Sequence, residues 1–433
     1  MQNFYIKTYG CQMNIYDSDK IVSLLKKHNY RHVNSISKAD LIVINTCHIR
    51  EKATERVYSE IGRLPKFITV IIVGCVAQAE GKEIIKRANN VDIILGPQSY
   101  HNLPILLKKL HHTKKRQIDL NFYGESKFNH LKIITKSQYS SFITIQEGCD
   151  KFCHFCCVPY TRGQEFSRSS FDIINEVNTL IDCGTQEITL LGQNVTTYYN
   201  VETLATLFKK LVKIPGLKRL RYITSHPMDI MNSELFTLHA NERKIMPYLH
   251  LPIQSGSDKI LKAMNRKYSR NDYLAVIKKF QDLTPNISFS SDFIVGYPGE
   301  AEKDFQDTIN LIEKVKFNQC YSFKYSSRPG TVSYLLTNQI NEKIKSKRLY
   351  RLQQLLQQKQ LNFNKSFIGK MLPVLFEKIT KKSGQILGKS PYLQSVITDN
   401  SLNNIGSIQN VLITDAHFAY LQGKITKNIF FTE

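Results

Sequence analysis

The strongest chemical signal in the chain is a short segment with three cysteines. Cys149, Cys153 and Cys156 stand in a C-x₃-C-x₂-C spacing, which is compact enough for three thiolates to ligate one inorganic centre. A [4Fe–4S] cluster normally takes four thiolates, so three ligands leave one iron open to bind something else. The alternative is a zinc site, but zinc prefers paired C-x₂-C motifs or added histidine, and His154 lies inside the run, where it reaches the same metal awkwardly. Cys157 competes for the third position, although the spacing favours Cys156 and makes Cys157 a small buried neighbour.

A second, scattered set of cysteines shares one feature. Cys11, Cys47 and Cys75 each stand just beyond the end of a segment predicted to be a β-strand. In an open parallel sheet the carboxyl ends of the strands form one edge where ligands bind, so these three thiols can converge there. Gly10 and Gly74 let the backbone turn close to a cluster. The alternative is three unrelated buried thiols, and the shared position favours convergence.

The first part of the chain alternates predicted strands and helices. Strands are predicted at 4–8, 41–44, 69–73 and 91–95, with a helix from about Asp17 after the first and further helical stretches between the others. Continuous apolar strands of this kind are typical of a parallel sheet covered by helices on both faces. We therefore predict an open parallel-sheet α/β domain, followed by a linker in the polar, basic stretch 111–137.

A second alternating series begins near Ser141 and positions the cysteine-rich segment. Strands are predicted at 142–147, 187–191, 219–224, 248–253, 287–295 and 319–325, with amphipathic helices between them, as at 171–181, 272–283 and 302–315. This succession predicts a partial (βα)6 barrel with functional groups at the C-terminal ends of its strands. The segment that begins at Cys149 follows the first strand and so falls at that rim. Cys183 is interpreted as a helix-end filler, and Cys320 lies in a predicted strand.

The last part of the chain has the pattern of a small all-β module. A helix is predicted at 342–364, and short strands follow at 372–376, 385–388, 393–397, 411–414 and 418–423. Gly, Asn and Ser turns separate these strands, which is typical of a small OB-like β-barrel. The predicted domains are residues 1–117, 135–366 and 367–431.

Composition narrows the class of protein. The chain has 433 residues, too many for one core, and 42% of them are apolar, which argues against wholesale disorder. No apolar run reaches the roughly 18 residues that span a bilayer, and the N-terminus lacks a secretory pattern. We therefore expect a cytoplasmic protein whose nine cysteines stay reduced. The net charge of +23 has two interpretations, a Lys-rich solubilising surface or a polyanionic partner such as nucleic acid.

The C-x₃-C-x₂-C segment resembles the hallmark of radical S-adenosylmethionine enzymes. The scattered cysteines, the predicted barrel and a C-terminal module similar to TRAM together resemble the methylthiotransferases over nearly the full length. Segments similar to the tRNA branch of that family are VPYTRG at 158–163, LGQNV at 191–195, TSHP at 224–227 and GKSPYLQSV at 388–396. The segments LHLPIQSGS at 249–257 and DFIVGYPGE at 292–300 are similar to the family at large. Cys157 is a departure, because the family pattern has an aliphatic residue there.

The resemblance implies an enzyme with two [4Fe–4S] clusters and S-adenosylmethionine. The clustered cysteines would hold the radical-generating cluster, and the scattered cysteines an auxiliary cluster whose open iron carries or donates sulfur. One S-adenosylmethionine methylates that sulfur, and a second supplies the radical that removes the hydrogen from C2 of adenine. Since this C–H is barely acidic, a general base alone would struggle to remove it. The implied substrate is N6-isopentenyladenosine next to the anticodon, on its 3′ side, in tRNA.

The resemblance also implies partners and further site residues. The partners are the anticodon stem-loop of tRNA and an electron donor such as flavodoxin or ferredoxin, with the chain acting as a monomer. The expected neighbours of S-adenosylmethionine are Gly192, Gln193, Asn194, Ser225, Gln254, Ser255, Asp292 and Gly296, with ordinary turn chemistry as the alternative for each. Arg162 either pairs with an anionic group or forms a structural ion pair. The expected RNA contacts are Lys381, Lys382, Lys389 and Tyr392, unless the module only caps the barrel.

Two other functions stay open at this stage. One keeps the chemistry and changes the substrate to threonylcarbamoyl-adenosine in tRNA or to a ribosomal protein. The other is a non-catalytic iron–sulfur protein that binds RNA as a sensor or an electron carrier. The electron donor, the sulfur source, the oligomeric state and the acceptance of hydroxylated isopentenyl substrates do not follow from the residues.

Overall fold

The structure, a computed structural model, describes residues 1–47, 51–65, 67–122, 138–381, 384–399 and 402–426, apart from the side chains of residues 51–54 and 402. Its first sheet consists of β1 (Asn3–Thr8), β2 (Arg31–His32), β3 (Leu41–Thr46), β4 (Thr69–Gly74), β5 (Ile93–Leu95) and β6 (Gln117–Asp119). The strands are all parallel, in the order β2-β1-β3-β4-β5-β6. The predicted open parallel sheet is thus confirmed. The linker prediction is wrong at its start, because β6 pairs with β5, while 123–137 lie outside the described residues.

Helices cover both faces of this sheet. They are α1 (Gln12–Lys27), α2 (Glu51–Ile61), α3 (Cys75–Glu80), α4 (Glu83–Arg87) and α5 (Leu103–Thr113). Every residue of β3 is buried, because its alternate side chains enter two different cores. Val43 packs in the same core as Ile21 of α1, and Ile44 packs on the other face with Val57 of α2.

The first helix begins earlier than predicted. The sequence pattern placed its start at about Asp17, whereas α1 begins at Gln12 with Cys11 at the N-cap position. The Cys11 backbone N–H donates to the side-chain oxygen of Asn14 at 3.4 Å, so a local capping contact starts the helix directly after the strand. The apolar periodicity that marks helix faces begins only one turn later, which is why it missed this start. As a result Cys11 stands at a helix N-terminus.

The middle of the chain forms a partial barrel of parallel strands. Its strands are β7 (Ser140–Thr144), β10 (Glu187–Leu191), β13 (Arg219–Ile223), β14 (Tyr248–His250), β15 (Ser288–Val295) and β16 (Phe317–Lys324), and the short strands β8 (Gln146–Glu147), β9 (Phe166–Ser167), β11 (Tyr199–Asn200) and β12 (Glu202–Thr203) decorate it. Two three-stranded sheets, β13-β10-β7 and β14-β15-β16, meet where the Leu220 N–H donates to the Lys244 carbonyl at 2.7 Å. The pairing of Leu220 with Ile245 is parallel, so the two sheets continue as one curved sheet. The predicted partial (βα)6 barrel is confirmed.

Helices surround the outside of the partial barrel. They are α6 (Val158–Arg162), α7 (Ser170–Asp182), α8 (Leu204–Leu211), α9 (Pro227–Ile230), α10 (Leu235–Asn241), α11 (Asp258–Ala263), α12 (Arg270–Leu283), α13 (Glu302–Lys314) and α14 (Glu342–Lys365). Short 3₁₀ turns lie at Ile36–Lys38, Tyr100–Asn102, Val195–Thr197, Val332–Leu335 and Leu402–Asn404. Cys183 caps the end of α7 and Cys320 lies in β16, as predicted. Within the described ranges, none of the helices combines the length and the hydropathy that crossing a bilayer requires.

The C-terminal module is a closed five-stranded barrel. Its strands β17 (Met371–Ile379), β18 (Gln385–Lys389), β19 (Ser395–Asp399), β20 (Ile408–Ala416) and β21 (Leu421–Ile425) close in the order β17-β18-β19-β21-β20. The predicted small β-barrel is confirmed, although its last strand begins at Leu421 rather than at 418. Closure removes free sheet edges, which lets so small a module keep its own core.

Candidate active site

The structure places two of the scattered cysteines against each other at the carboxyl edge of the first sheet. Cys11 caps α1, and buried Cys47 follows directly after β3. A hydrogen bond with the Cys47 thiol lowers the pKa of Cys11 to about 6, against the opposing effect of burial. A side-chain carbon added at Gly10 would lie 2.5 Å from Cβ of Cys47, so the close approach of these two cysteines requires glycine there.

Cys75 reaches the same edge from the next strand, where it opens α3. Gly74 precedes it with a φ of 96°, and an added side-chain carbon would lie 2.4 Å from the Thr46 carbonyl oxygen. The end of β4 therefore lies against the end of β3 only because residue 74 is glycine. The buried guanidinium of Arg162 interacts electrostatically with both Cys75 and Cys11, so one fixed positive charge faces two of the three thiols.

The clustered cysteines lie in a tight loop after β8, at the C-terminal rim of the barrel. The Cys149 N–H donates to the Gly163 carbonyl at 3.2 Å, and the Cys156 N–H donates to the Cys153 carbonyl at 2.9 Å. Phe152, inside the loop, has a φ of 46°, a left-handed conformation that is uncommon for a residue with a side chain. Such conformations persist where the surroundings impose them and are concentrated at functional sites.

The surroundings of these thiols favour their protonated form as long as no positively charged centre binds them. Burial raises the pKa of Cys149 to about 11 and that of Cys156 well above its usual value, and the neighbouring thiols Cys157 and Cys153 add to the shift at Cys156. An iron centre reverses this penalty, since it binds the thiolates and releases their protons. Across the described ranges no three His, Cys, Asp or Glu side chains close on a single metal-ion position. Three cysteine thiols on one short loop have the chemistry that a cluster needs, since a cluster takes each thiolate ligand on a different iron.

A cation that the sequence did not single out contacts the clustered set. Arg266 donates from Nη1 to Sγ of Cys153 at 3.5 Å, and its Nε donates to the Tyr268 hydroxyl at 2.7 Å. Its position just after α11 is distant from Cys153 in sequence, so no local pattern indicates the contact. His154 does not offer Nδ1 to the cluster site, because that atom lies 2.9 Å from the Ala263 carbonyl.

Arg162 is a structural ion pair rather than a free anion-binding group. Its Nη2 lies 3.0 Å from Oδ2 of Asp17, and its Nη1 lies 3.1 Å from Oε1 of Glu147, with all three side chains at most 2% exposed. Glu147 also accepts from Gln98 Nε2 at 2.8 Å. Asp17 and Gln98 belong to the first domain and the other two residues to the barrel, so the network joins the two cysteine-bearing parts of the chain. Glu147 was not singled out from the sequence. The only feature that could have indicated it is a charged residue at the end of a mostly apolar strand.

Three of the expected cofactor neighbours lie beside the cysteine loop. The Gly148 N–H donates to Oε1 of Gln193 at 2.7 Å, and Gln193 Nε2 lies 2.7 Å from the sulfur of Met13 in α1. Asn194 donates from Nδ2 to Asp229 at 2.7 Å. Gly192 packs against Gln146, where an added side-chain carbon would lie 2.6 Å from Oε1. The strand end after β10 thus supports the loop that carries the clustered cysteines.

Of the other expected cofactor neighbours, three have features of a binding site and two pack only against helices. Ser225 is buried, and its hydroxyl has no hydrogen-bond partner among the described residues, while Gln254 has a φ of 79°. Asp292 lies with Oδ2 at 3.6 Å from His250 Nε2. The Ser255 hydroxyl instead lies 3.4 Å from the Thr308 hydroxyl of α13, and Gly296 packs against α14. For Ser255 and Gly296 the geometry is that of ordinary turn and helix packing.

The residues expected to contact RNA do not share one exposed surface. Lys381 is exposed, and Lys382 lies outside the described residues. Lys389 is partly buried and donates to the Ser395 hydroxyl at 2.9 Å, and Tyr392 packs its ring 5.0 Å from that of Phe367. The Lys389 carbonyl accepts from Arg219 of β13 and the Tyr392 carbonyl accepts from Asn318 of β16, so both residues lie at the junction of the small barrel with the rest of the chain.

Two arginines of β13 hold that junction. Arg219 donates to the Lys389 and Pro373 carbonyls at 2.9 and 2.7 Å. Arg221 donates to the Pro391 and Ser390 carbonyls at 2.7 and 2.8 Å, and both guanidinium groups pair with the buried carboxylate of Glu187. These arginines contribute to the net charge of the chain without belonging to its outer surface.

Comparisons with known families and folds agree with this architecture. Family models match an uncharacterized protein family, UPF0004, over residues 3–96, the radical SAM superfamily over residues 143–312 and a TRAM domain over residues 365–426. The solved radical S-adenosylmethionine methyltransferase TsrM from Kitasatospora setae has a TM-score of 0.56 at 11% identity, over 77% of this chain and 74% of that chain. The cobalamin-dependent S-adenosylmethionine radical enzyme OxsB has a TM-score of 0.51 at 12% identity, over 82% of this chain and 56% of that chain. Fold and site thus define a radical S-adenosylmethionine protein that carries a TRAM domain.

Full-length relatives give the particular family. A protein from Rickettsia typhi is 51% identical over 98% of this chain and 99% of its own length, and one from Rickettsia prowazekii is 51% identical over the same shares. Both are named tRNA-2-methylthio-N(6)-dimethylallyladenosine synthase. The chain belongs to the family of the tRNA-2-methylthio-N(6)-dimethylallyladenosine synthases.

Proposed function

We infer that this chain is a radical S-adenosylmethionine methylthiotransferase that adds a methylthio group to C2 of N6-isopentenyladenosine, next to the anticodon on its 3′ side, in tRNA. The observation that carries this inference is the 51% identity to a named synthase over 98% of this chain and 99% of the relative. An iron–sulfur cluster and S-adenosylmethionine follow from the radical SAM domain at 143–312.

Two clusters, rather than one, are the finer part of the proposal. Cys149, Cys153 and Cys156 would hold the radical-generating [4Fe–4S] cluster. Cys11, Cys47 and Cys75 would hold an auxiliary [4Fe–4S] cluster, supported by the contact of the Cys11 and Cys47 thiols and by the two glycines that bring the strand ends together. We propose three domains with one role each. Residues 1–117 would hold the auxiliary cluster, residues 135–366 would carry out the radical chemistry, and residues 367–431 would contact RNA.

The division of roles follows from where the chain's own residues lie. When bound, the clusters and S-adenosylmethionine supply the radical that removes the C2 hydrogen and the methylated sulfur that replaces it. Arg162 holds the two cysteine sets in one fixed relation through its buried pairs with Asp17 and Glu147. Arg266 places a positive charge at Sγ of Cys153, where ligation leaves negative charge on the thiolate.

Residues at the strand ends would bind and orient S-adenosylmethionine. Ser225 offers a buried hydroxyl without a partner among the described residues, and Asp292 offers a carboxylate at the end of β15. Gln193 and Asn194 would act mainly by supporting the cysteine loop, as their contacts with Gly148 and Asp229 indicate. Gly192, Gln254, Ser255 and Gly296 would shape the turns around that site.

The proposed partners follow from the substrate and the chemistry. The small barrel would bind the anticodon stem-loop. Lys381, which is exposed, and Lys382 would contact phosphates, and Lys389 and Tyr392 would contribute from the junction. Radical generation needs a one-electron donor, for which a flavodoxin or ferredoxin is proposed. We also propose that the chain acts as a monomer in the cytoplasm, where its tRNA substrate is found.

Nucleoside mass spectrometry of tRNA tests the proposed activity. In a strain that lacks this gene, 2-methylthio-N6-isopentenyladenosine is expected to disappear and N6-isopentenyladenosine to accumulate. The wild-type gene restores the product, and a Cys153→Ala variant does not. Retention of the product in the deletion strain, or loss of a methylthiolated threonylcarbamoyl-adenosine instead, would refute the substrate assignment.

An iron count tests the two-cluster proposal. Two [4Fe–4S] clusters give about eight irons for each anaerobically reconstituted chain, and Cys47→Ala should reduce this to about four. Cys183→Ala is the matched control, because Cys183 caps α7 away from both sets. An iron content that Cys47→Ala leaves unchanged would contradict the auxiliary cluster.

A further inference from the structure

The loop that carries the clustered cysteines has an exposed outer side. Phe152 lies between Cys149 and Cys153 and is 50% exposed, although the cysteine that follows it is buried. The Phe152 carbonyl accepts from Nδ2 of Asn265 at 3.0 Å, and Asn265 belongs to the turn that follows α11. This turn therefore packs against the loop next to the exposed ring.

A second segment packs beside the loop from the end of β16. It is the 3₁₀ turn Val332–Leu335, in which the N–H and the hydroxyl of Ser333 both donate to the His154 carbonyl, at 3.0 and 2.9 Å. Leu335 is 78% exposed. The apolar side chains that this turn leaves exposed are Val332, Tyr334 and Leu335. Exposed apolar groups that lie together on a surface often mark a contact with another protein.

One small core lies beneath these segments and joins them. Phe155 of the cysteine loop, Met264 after α11 and Leu336 after the 3₁₀ turn pack in it together. Tyr297, which is fully buried in the same core, donates to the Ala263 carbonyl at 3.0 Å. The three segments therefore present one packed surface, which we call the cluster-loop face. Its exposed side chains are Phe152, Lys262, Lys267, Val332, Tyr334 and Leu335.

The uncompensated charge of the cluster-loop face is positive. Lys262 and Lys267 are exposed, and neither has a hydrogen-bond or ion-pair partner among the described residues. Lys151 differs from them, because its Nζ pairs with Asp229 at 2.7 Å. Asp150, at the start of the loop, is the only acidic residue between the clustered cysteines. An apolar centre with two free lysines suits a partner whose own apolar contact is surrounded by acidic groups.

The cluster-loop face also offers a short route from solvent to the clustered cysteines. Phe152 directly precedes Cys153 in the chain. Lys267 follows Arg266, whose Nη1 lies 3.5 Å from Sγ of Cys153. Since electron transfer slows steeply with distance, a reductant of a cluster at these cysteines gains from contact with this face. An electron that crosses here passes one residue before it reaches a cluster ligand.

The module expected to bind RNA lies at the other end of the barrel strands. Arg219, the first residue of β13, and Asn318, the second residue of β16, both donate to carbonyls of the small barrel. The cluster-loop face lies beyond the carboxyl ends instead, since its 3₁₀ turn follows β16. The aliphatic side chains of Val332 and Leu335 also offer no ring on which a base could stack. The face therefore suits a protein better than it suits RNA.

We propose that the cluster-loop face docks a flavodoxin, which reduces a cluster held by Cys149, Cys153 and Cys156. The inference rests on the proposed function, which requires a one-electron donor. The exposed edge of a flavin is an apolar dimethylbenzene ring, which matches the apolar centre of the face, and acidic groups around it match Lys262 and Lys267. The anionic reduced flavin loses one electron and becomes a neutral radical, the oxidised cluster gains that electron, and no proton has to move.

A binding measurement tests the docking directly. The probe is an acidic flavodoxin in its oxidised form, and its dissociation constant is measured with the anaerobically reconstituted protein at low and at high salt. A variant that combines Lys262→Glu with Lys267→Glu should raise the constant about tenfold at low salt and weaken its salt dependence. The matched control combines Lys278→Glu with Lys314→Glu, at exposed lysines of α12 and α13 that have no partner among the described residues.

The rate of cluster reduction is the second measurement. Reduced flavodoxin should reduce the cluster of the variant with Glu at 262 and 267 about tenfold more slowly than that of the wild type. Photoreduced deazaflavin is a small reductant that needs no docking surface, so it should reduce both proteins at the same rate. Leu335→Ser keeps both lysines and should weaken flavodoxin binding severalfold. Iron content and melting temperature check each variant, and Leu335→Ser carries the test if the charge reversal lowers either.

Four results overturn the inference. The first is flavodoxin binding that is absent or that the reversal of Lys262 and Lys267 leaves unchanged, and the second is an equal loss of affinity in the control. The third is a loss of affinity for the anticodon stem-loop RNA with flavodoxin binding unchanged, which would assign the face to RNA. The fourth is binding of an acidic ferredoxin in place of the flavodoxin.

The failure of this inference and the failure of the proposed function give different results. Each of the four results leaves the proposed function intact if the deletion strain lacks the methylthio product in its tRNA. Retention of that product in the deletion strain would refute the proposed function, whereas the effect of the two lysines on flavodoxin binding is measured on the purified protein without any tRNA.

Discussion

One buried carboxylate, Glu176, joins the first domain to the barrel. It lies on α7, is 1% exposed, and pairs with Lys20 Nζ of α1 at 2.8 Å and with Arg168 Nη2 at 2.8 Å. It also accepts from the hydroxyl of Tyr16, on α1, at 3.2 Å. The substitution Glu176→Gln keeps the shape of the side chain but leaves two buried cations without their counter-charge.

The magnitude of the effect follows from the ionisation of Glu176. Burial by itself raises its pKa, but the charges of Lys20 and Arg168 outweigh burial and lower the pKa from 4.5 to about 2. At 1.36 kcal/mol for each pKa unit, this corresponds to about 3 kcal/mol of stabilisation. Burial lowers the pKa of Lys20, which offsets part of the gain, so the lower end of the roughly 3–5 kcal/mol for breaking a buried ion pair is expected.

The assay is urea unfolding of the reconstituted protein at neutral pH. Glu176→Gln should lower the free energy of unfolding by about 3 kcal/mol. Lys86→Met is the control, because the pair of Lys86 with Glu83 is exposed and such pairs contribute only about 0–1 kcal/mol. A loss for Glu176→Gln within the range of the control would refute the reasoning.

The same ion pairs give a pH dependence with a defined sign. The pKa of Glu176 is lower in the folded chain than in the unfolded chain, so its contribution is fully present above pH 4.5 and is lost as the pH falls toward 2. The difference in stability between the wild type and Glu176→Gln should therefore shrink across this window. A difference that stays constant down to pH 2 would contradict the assignment of the shift to Lys20 and Arg168.

Three further predictions concern the cysteine sites and the small barrel. Gly74→Ala should lose about four irons in an iron assay, because its new side-chain carbon would lie 2.4 Å from the Thr46 carbonyl and displace Cys75; full retention would contradict this. Cys157→Ser should leave the iron content unchanged, whereas Cys156→Ser should lose about four irons, and the reverse result would exchange their roles. Arg221→Met removes two hydrogen bonds to backbone carbonyls of the small barrel. It should increase the rate of tryptic cleavage before that barrel severalfold, with the iron content unchanged. An unchanged cleavage rate would show that Arg221 does not hold the small barrel in place.

The cysteine positions show how far pattern reasoning reaches. Strand ends could be located from continuous apolar segments, and a parallel sheet puts those ends on one edge whatever the rest of the chain does. That argument put Cys11, Cys47 and Cys75 on one edge of the first sheet. It missed that α1 starts at Gln12, because the capping contact of Cys11 with Asn14 involves polar atoms that leave no apolar periodicity.

The basic residues show where pattern reasoning ends. Arg219 and Arg221 are indistinguishable in sequence from arginines on an RNA-binding surface, yet they are buried against carbonyls of the small barrel. Lys389 and Tyr392 likewise lie at the junction, where their carbonyls accept from Arg219 and Asn318 of the central strands. Whether a charge is solvated or paired depends on which distant backbone meets it, and composition carries no information about that.

What the sequence by itself determined is the chemistry available to the chain and the order of its domains. The spacing of Cys149, Cys153 and Cys156 is short, so local geometry alone brings those thiols together. Only the tertiary structure decided what surrounds the cysteines: Arg162 between Asp17 and Glu147, and Arg266 at Cys153. The physical reason is distance along the chain: Arg162 and Asp17 are 145 residues apart, and Arg266 and Cys153 are 113 residues apart. Such residues meet only when the chain folds, so no local preference predicts the contact.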